Sequence, residues 1–262
     1  MIRGVDVSHW QADRGAIRWG EVAQAGYDFA YCKATQGKDF IDTAYLSNIT
    51  GAKTAGLAVG SYHYWIPEVD SILQARHFMN IVAGLPHNLP YMFDLEQDST
   101  LRNSQLIANA FVFVQEVEQL SGEFIAIYTR ASYYNQKLKD ERTLQYPIWA
   151  GEKKLWVANY TTASQPILPI SWDDYWLWQY TSTGRVPGII GDVDLNRFQG
   201  TKEELLGSPP IEVSMQLVSW LIQITPLQVH GVSQANLQKF TRHLNDLVAD
   251  WNTRGDVLDY GG

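Results

Sequence analysis

The chain has 262 residues and a formal net charge of -8, long enough for one large domain or one domain with a small appendage. No basic run offsets that acidic balance, which argues against the positive footprint that nucleic-acid binding needs. Cys32 is the single cysteine, so neither an intrachain disulfide nor a multi-cysteine zinc site can form. Ten Trp, fourteen Tyr and nine Phe either fill a large core or offer flat faces on which sugar rings stack. The segment from Met1 to Trp10 lacks a basic stretch followed by a long apolar one, so it does not read as a cleavable signal peptide. No apolar run reaches bilayer-spanning length. The expectation is synthesis in the cytoplasm without membrane insertion, any outside target being reached after release or by another export route.

In chain order, short apolar runs that read as strands fall at residues 2–7, 29–34, 58–65, 91–95, 124–128, 155–159, 176–180 and 193–195, eight in all. Between them, segments 70–82 and 104–120 carry apolar residues at helical spacing. In the second, Leu106, Ala110, Phe113, Val114, Val117 and Leu120 fall on one stripe. Strands alternating with helices over about 200 residues predict an α/β class fold, a parallel (β/α) TIM-like barrel rather than an open sheet. The connections at 149–156 and 161–175 are too short or too irregular for good helices, so the barrel should be irregular, with incomplete outer helices.

Gly207-Ser-Pro-Pro210 cannot continue a helix and reads as a linker, which assigns residues 1–206 to the barrel and 207–262 to an appendage. There, Leu237, Phe240, Leu244, Leu247 and Trp251 recur at spacings of three and four. The pattern predicts a small C-terminal α-helical hairpin serving targeting, self-association into a homo-oligomer, or cover for a barrel face.

In such barrels the reactive side chains sit at the C-terminal ends of the strands. Those ends deliver Asp6, Lys33, Tyr62, Tyr64, Asp94 with Glu96, Tyr128, Tyr160, Gln179 and Asp194. Asp94 and Glu96 share one face at an i, i+2 spacing, and each negative charge raises the pKa of the other. One protonated acid beside one carboxylate is the equipment for cleaving a glycosidic bond. A lone D-x-E equally fits a helix cap and a solvated loop acid; four acids at strand exits tip the reading towards chemistry. First and last strands of a closed barrel are neighbours, so Asp6 and Asp194 should meet. Asp192 shares a strand face with Asp194, and Asp194 is preferred because Asn196 and Phe198 fit a strand leaving the barrel after it. Glu96, with the longer side chain, is the candidate proton donor. No calcium loop or phosphate-cradling glycine loop accompanies the acids, and His9, His63 and His77 lack metal-binding spacing, so neither a metal nor a cofactor is implied. A G-x-S-x-G serine elbow is also missing.

Asp6 in D-V-S-H-W-Q, Lys33 in K-A-T-Q-G, Tyr62 in G-S-Y-H-Y, the D-L-E pair, Trp178-Gln-Tyr180 and the V-D-L-N-R-F run from Val193 together resemble glycoside hydrolase family 25. These are the Chalaropsis-type lysozymes, common among bacteriophage endolysins, and the resemblance covers about residues 1–200. It implies a partial barrel that hydrolyses the β-1,4 bond between N-acetylmuramic acid and N-acetylglucosamine in bacterial peptidoglycan, with retention of configuration. It places the family's acids on Asp6, Asp94, Glu96 and Asp194, with Glu96 as donor, and Tyr62, Lys33 and Gln179 near the pocket. Tyr64, Tyr128, Tyr160 and Trp178 stand as further candidate sugar contacts. Gln36 departs from the Glu that the family often has there. A non-catalytic sugar-binding barrel fits the fold but not the intact acid set, and a chitinase would carry a D-x-x-D-x-D-x-E run. An i+2 step along a strand is about 6.5–7 Å, longer than the roughly 5–5.5 Å of direct-displacement retaining enzymes. That spacing favours Asp94 as the group orienting the substrate's own acetamido nucleophile.

Overall fold

The computed structural model describes residues 1–206. In chain order its elements are β1 (Ile2–Val7), α1 (His9–Ala12), α2 (Trp19–Gln24), β2 (Phe29–Gln36), β3 (Phe40–Ile41), α3 (Tyr45–Thr54), β4 (Ala58–Tyr64), α4 (Ser71–Val82) and β5 (Met92–Asp94). They continue with α5 (Asn103–Ser121), β6 (Ala126–Thr129), α6 (Ala131–Lys137), α7 (Ile148–Gly151), β7 (Leu155–Ala158), β8 (Leu177–Gly184), β9 (Val193–Phe198) and α8 (Lys202–Leu205). The expected C-terminal hairpin lies outside the described residues.

The strands run in the order β1-β9-β8-β7-β6-β5-β4-β2-β3, and a β1–β2 pairing closes the ring. β3 stays outside it, pairing Phe40 and Ile41 with the far end of β2 where β1 has already stopped. The barrel is therefore eight-stranded, with helices around it. One expectation is corrected: the barrel is mixed, because β9 runs antiparallel to both β8 and β1. Only residues 185–192 join β8 to β9, too few for the crossover a parallel return needs. The longest outer helices, α4 and α5, bury apolar stripes against the strands. Leu106, Ala110, Phe113, Val114 and Val117 of α5 are buried, while Leu120 at its end is exposed. Between β6 and β7 the shell thins to two short helices, and between β7 and β8 there is none. No helix among the described residues is long and apolar enough to cross a membrane.

Two apolar layers result. The outer one lies between strands and helices and holds Trp65, Phe78, Phe93, Phe113 and Trp178; the inner one fills the barrel with Phe29, Tyr31, Met92, Trp156 and Phe198. Large inner rings need small opposite neighbours. A Cβ on Gly60 would collide with the Tyr31 ring, and one on Gly4 with the Phe29 ring. These rings plug the lower barrel, and among the described residues the upper rim, where β1, β4, β5 and β6 end, is left open. A register shift in β2 between Lys33 and Thr35 sets one further feature. The extra residue turns Thr35 outwards to meet His63 Nδ1 at 2.7 Å, while Lys33 stays inside.

Candidate active site

The upper rim encloses a pocket of about 260 Å³. Asp6, Asp94, Glu96 and Asp194 all line it, from β1, the end of β5, the loop after it, and β9. Asp6 and Asp194 are directly paired residues of the antiparallel β1–β9 ladder. Asp194 stands near the start of β9, and it reaches the same rim as the other acids because that strand runs the opposite way. Asp192 faces outwards to Arg185 at 3.0 Å, so Asp194 is the inward acid of the two.

Asp6 anchors a buried polar floor. Its Oδ2 accepts from Gln179 Nε2 at 2.9 Å and from Asn196 Nδ2 at 2.7 Å. Those amides accept in turn: Gln179 Oε1 from the Tyr128 and Tyr160 hydroxyls at 2.9 and 2.7 Å, Asn196 Oδ1 from Trp156 Nε1 at 2.8 Å. Such a satisfied network fixes its members rigidly. Burial pushes the Asp6 pKa up to about 6, against the pull of its two amide donors. Asp194, less deeply buried but with the Asp6 and Glu96 charges nearby and no amide donors, is pushed up to about 8.

β5 ends at Asp94, one residue earlier than expected, so Glu96 stands in the loop beyond it and the pleat alone does not fix their separation. Alternation nevertheless persists: Leu95 is buried in the outer layer while its two neighbours line the pocket. The loop is held from both sides. Leu95 N donates to Tyr128 O at 2.9 Å and Trp65 N to Asp94 O at 3.3 Å. Gln97 accepts from the Tyr64 hydroxyl at its side chain and from the Tyr133 hydroxyl at its carbonyl. Asp94 Oδ1 is buried and has no hydrogen-bond partner among the described residues. Burial first, then the Glu96 charge, raise the Asp94 pKa well above the carboxylate range, with Lys33 opposing. Burial raises Glu96 as well, but Arg130 and Lys33 pull it back.

Of the residues expected beside the acids, Lys33, Tyr62, Tyr64, Tyr128, Tyr160 and Gln179 line the pocket. Lys33 donates to Gln36 Oε1 at 2.7 Å and lies 4.7 Å from the Tyr64 ring centroid. Trp178 does not belong to this set. It points to the opposite face of β8 from Gln179, fully buried, donating to Asn159 O at 2.8 Å with the Arg197 guanidinium 3.6 Å from its ring centroid. The indole inside the pocket is that of Trp156. His63 is a core residue between Thr35 and Gln74, its pKa lowered by burial to about 3.

Besides Trp156, sequence reasoning missed three further residues of the site. Asn196 was read only as part of a departing strand; its alternation with Asp194 was the available signal. Trp10, 66% exposed, stands at the pocket mouth within the Ser8–Gln11 capping box that turns the chain away from β1. Arg130 follows directly on β6, a strand end like the others, and its Nη1 donates to Glu96 Oε2 at 3.1 Å. That cation favours the Glu96 carboxylate, so its removal raises the Glu96 pKa. Where Glu96 must carry a proton to act, Arg130→Ala is expected to move the alkaline limb of the kcat/KM profile to higher pH. A limb that stays in place or moves down contradicts it.

Residues 5–189 match the glycosyl hydrolases family 25, a match that stops short of β9, so Asp194 rests on the barrel closure described above. The chain is 34% identical over 215 residues to Lysozyme M1 of Streptomyces globisporus, covering 78% of this chain and 70% of that protein. The crystal structure of a bacterial lysozyme from Streptomyces coelicolor superposes with a TM-score of 0.69 at 32% identity, covering 79% of this chain and 96% of the other. A family 25 glycosyl hydrolase from Bacillus anthracis gives 0.66 at 26% identity, covering 79% and 93%. On the family match and these relatives, the chain belongs to glycosyl hydrolases family 25.

Proposed function

We propose that this chain is a muramidase, hydrolysing the β-1,4 bond between N-acetylmuramic acid and N-acetylglucosamine in bacterial peptidoglycan with retention of configuration. The observation that carries the reading is the division within the acid pair. Asp94 is sealed in the pocket with an unpartnered oxygen, while Glu96 stands at the mouth beside a cation. Two like charges so close do not both ionise readily, so the pair holds a proton; burial raises both acids, and Arg130 and Lys33 hold Glu96 down. A muramic acid ring in the pocket offers its acetamido N–H to Asp94 Oδ1. That hydrogen bond favours the Asp94 carboxylate, and the proton is then held by Glu96.

Glu96 gives this proton to the bridging oxygen as the C1–O bond breaks. The acetamido oxygen, aligned by Asp94, closes on C1 from the opposite face. The Glu96 carboxylate then takes a proton from water, whose oxygen attacks C1 and reopens the ring formed by the acetamido group. Two inversions give net retention. Asp6 and Asp194 make no hydrogen bond to Asp94; Asp6 acts on it through charge and holds the pocket floor. The substrate lies in the bacterial wall, so the enzyme acts there after release or export.

Product analysis on purified peptidoglycan tests the reading. New reducing ends should be muramic acid, first formed as the β anomer, with chitin left intact. N-acetylglucosamine reducing ends would overturn it.

A further inference from the structure

Among the described residues, Lys33 is the one cationic side chain lining the acid pocket, where it shares the walls with four carboxyl groups. It is buried on β2, and its ammonium has a neutral partner, Nζ donating to Gln36 Oε1 at 2.7 Å. Among the described residues it forms no ion pair. Asp42, whose charge acts on it, is already taken up by His9 N, His9 Nδ1 and Ala44 N. The Tyr64 and Phe40 ring centroids lie 4.7 and 5.8 Å from Nζ and help to hold it in place. Gln36 occupies one of the three ammonium donors, which leaves two for a ligand. A buried cation without a counter-ion is costly, and this one stands where substrate arrives.

Strand order decides what lies beside it. Around the rim β6, β5, β4 and β2 are successive neighbours, and Asp94, Tyr64 and Gln36 stand in register across β5, β4 and β2. Asp94 therefore separates Glu96 and Arg130 on one side from Lys33 and Gln36 on the other. The sugar ring in the pocket follows the same sequence. Its C1 reacts beside Glu96, its C2 acetamido group meets Asp94, and C3 comes next round the ring. In muramic acid C3 carries the lactyl ether, the one group that distinguishes it from N-acetylglucosamine.

We propose that Lys33 and Gln36 form a carboxylate site for this 3-O substituent, so that Lys33 selects muramic acid over glucosamine rings in the pocket. The inference rests on the muramidase reading and adds the residue that recognises its substrate. The carboxylate is either the lactyl group's own, free where no peptide is attached, or one carried by a peptide amide-linked to it. A peptide has room to leave the pocket on this side. Beyond Lys33 a trench of about 510 Å³ opens between Gln36, Lys38 and Ile66, with Lys38 as a second cation.

The test uses the full chain and three glycans of equal length, alternating N-acetylglucosamine and N-acetylmuramic acid. Their lactyl groups are free carboxylates, neutral N-methylamides, or amide-linked to a stem peptide. Wild type should show a KM about tenfold lower for a carboxylate-bearing form than for the methylamide. Lys33→Met, which keeps the length and removes the charge, should abolish that preference. Gln36→Glu, which sets a carboxylate against Nζ, should abolish it too and decides the matter if Lys33→Met does not fold. A preference for the free lactyl form assigns the lactyl carboxylate as the ligand; one for the peptide form alone assigns the peptide's. Equal KM values for all three in wild type, or a preference that survives in a folded variant, overturn the site. So does a change in KM or kcat that is the same on all three glycans, the mark of a merely structural lysine. If wild type cleaves none of them, the muramidase reading falls and the site with it, whereas cleavage without preference removes the site alone.

Discussion

Glu96→Gln should lower kcat on peptidoglycan by roughly 10²–10⁴-fold, the usual contribution of a positioned general acid. Gln keeps the shape and can still accept from Arg130, but it has no proton to give. The loss should therefore appear without unfolding. Glu96 stands at the rim, one-quarter exposed, and among the described residues its single polar partner is Arg130. Chemical denaturation should report a stability within about 0.5 kcal/mol of the wild type, as for substitutions away from the core. Near-wild-type turnover by a folded Glu96→Gln protein would remove Glu96 from the mechanism.

Asp94→Asn should cut kcat by on the order of 10²–10³-fold, comparable to removing one preorganised polar group at a developing charge. The amide can still meet the acetamido group, but it has no negative charge to offset the positive charge that develops when the acetamido oxygen closes on C1. The same substitution should stabilise the fold at alkaline pH. The folded pKa of Asp94 is raised by burial, so its contribution to stability is present in the protonated form and is lost as pH rises through that pKa. Asn does not titrate. The stability difference between Asp94→Asn and wild type should therefore grow with pH, read by thermal unfolding across the range. Mass spectrometry of the wild type quenched during turnover should show no sugar attached to the protein; a sugar ester on Asp94 would exclude the acetamido route. Lower activity with higher stability is the pattern of a site held at a cost to the fold.

The acids were legible because strand alternation is local. Asp94, Leu95 and Glu96 could be sorted into pocket, core and pocket from their spacing, and Asp6 from its place at the end of the first strand; Asp194 came from its pairing with the first strand, although it stands near the start of β9. The length of β8 was not. It runs on to Gly184 as Thr-Ser-Thr-Gly, where Ser182 and Thr183 are exposed on successive positions and no apolar alternation marks the strand. Ending it at Tyr180 left room for a crossover, and the parallel reading of β9 followed from that.

The sequence by itself determined an eight-stranded α/β barrel, the positions of its strands to within a few residues, and the four carboxylates at its mouth. Period-two alternation and strand ends are properties of a few consecutive residues. Only the tertiary structure decided which face of β8 looks inwards, and so replaced Trp178 by Trp156 as the pocket's indole. The closure of the ring through an antiparallel β9, the bond from Arg130 to Glu96 and the amide floor under Asp6 were decided there too. Those last contacts join residues 34 to 190 positions apart. Alternation says that two faces exist but not which one the barrel encloses, and pairings across such separations arise from ring closure, which leaves no local pattern to read.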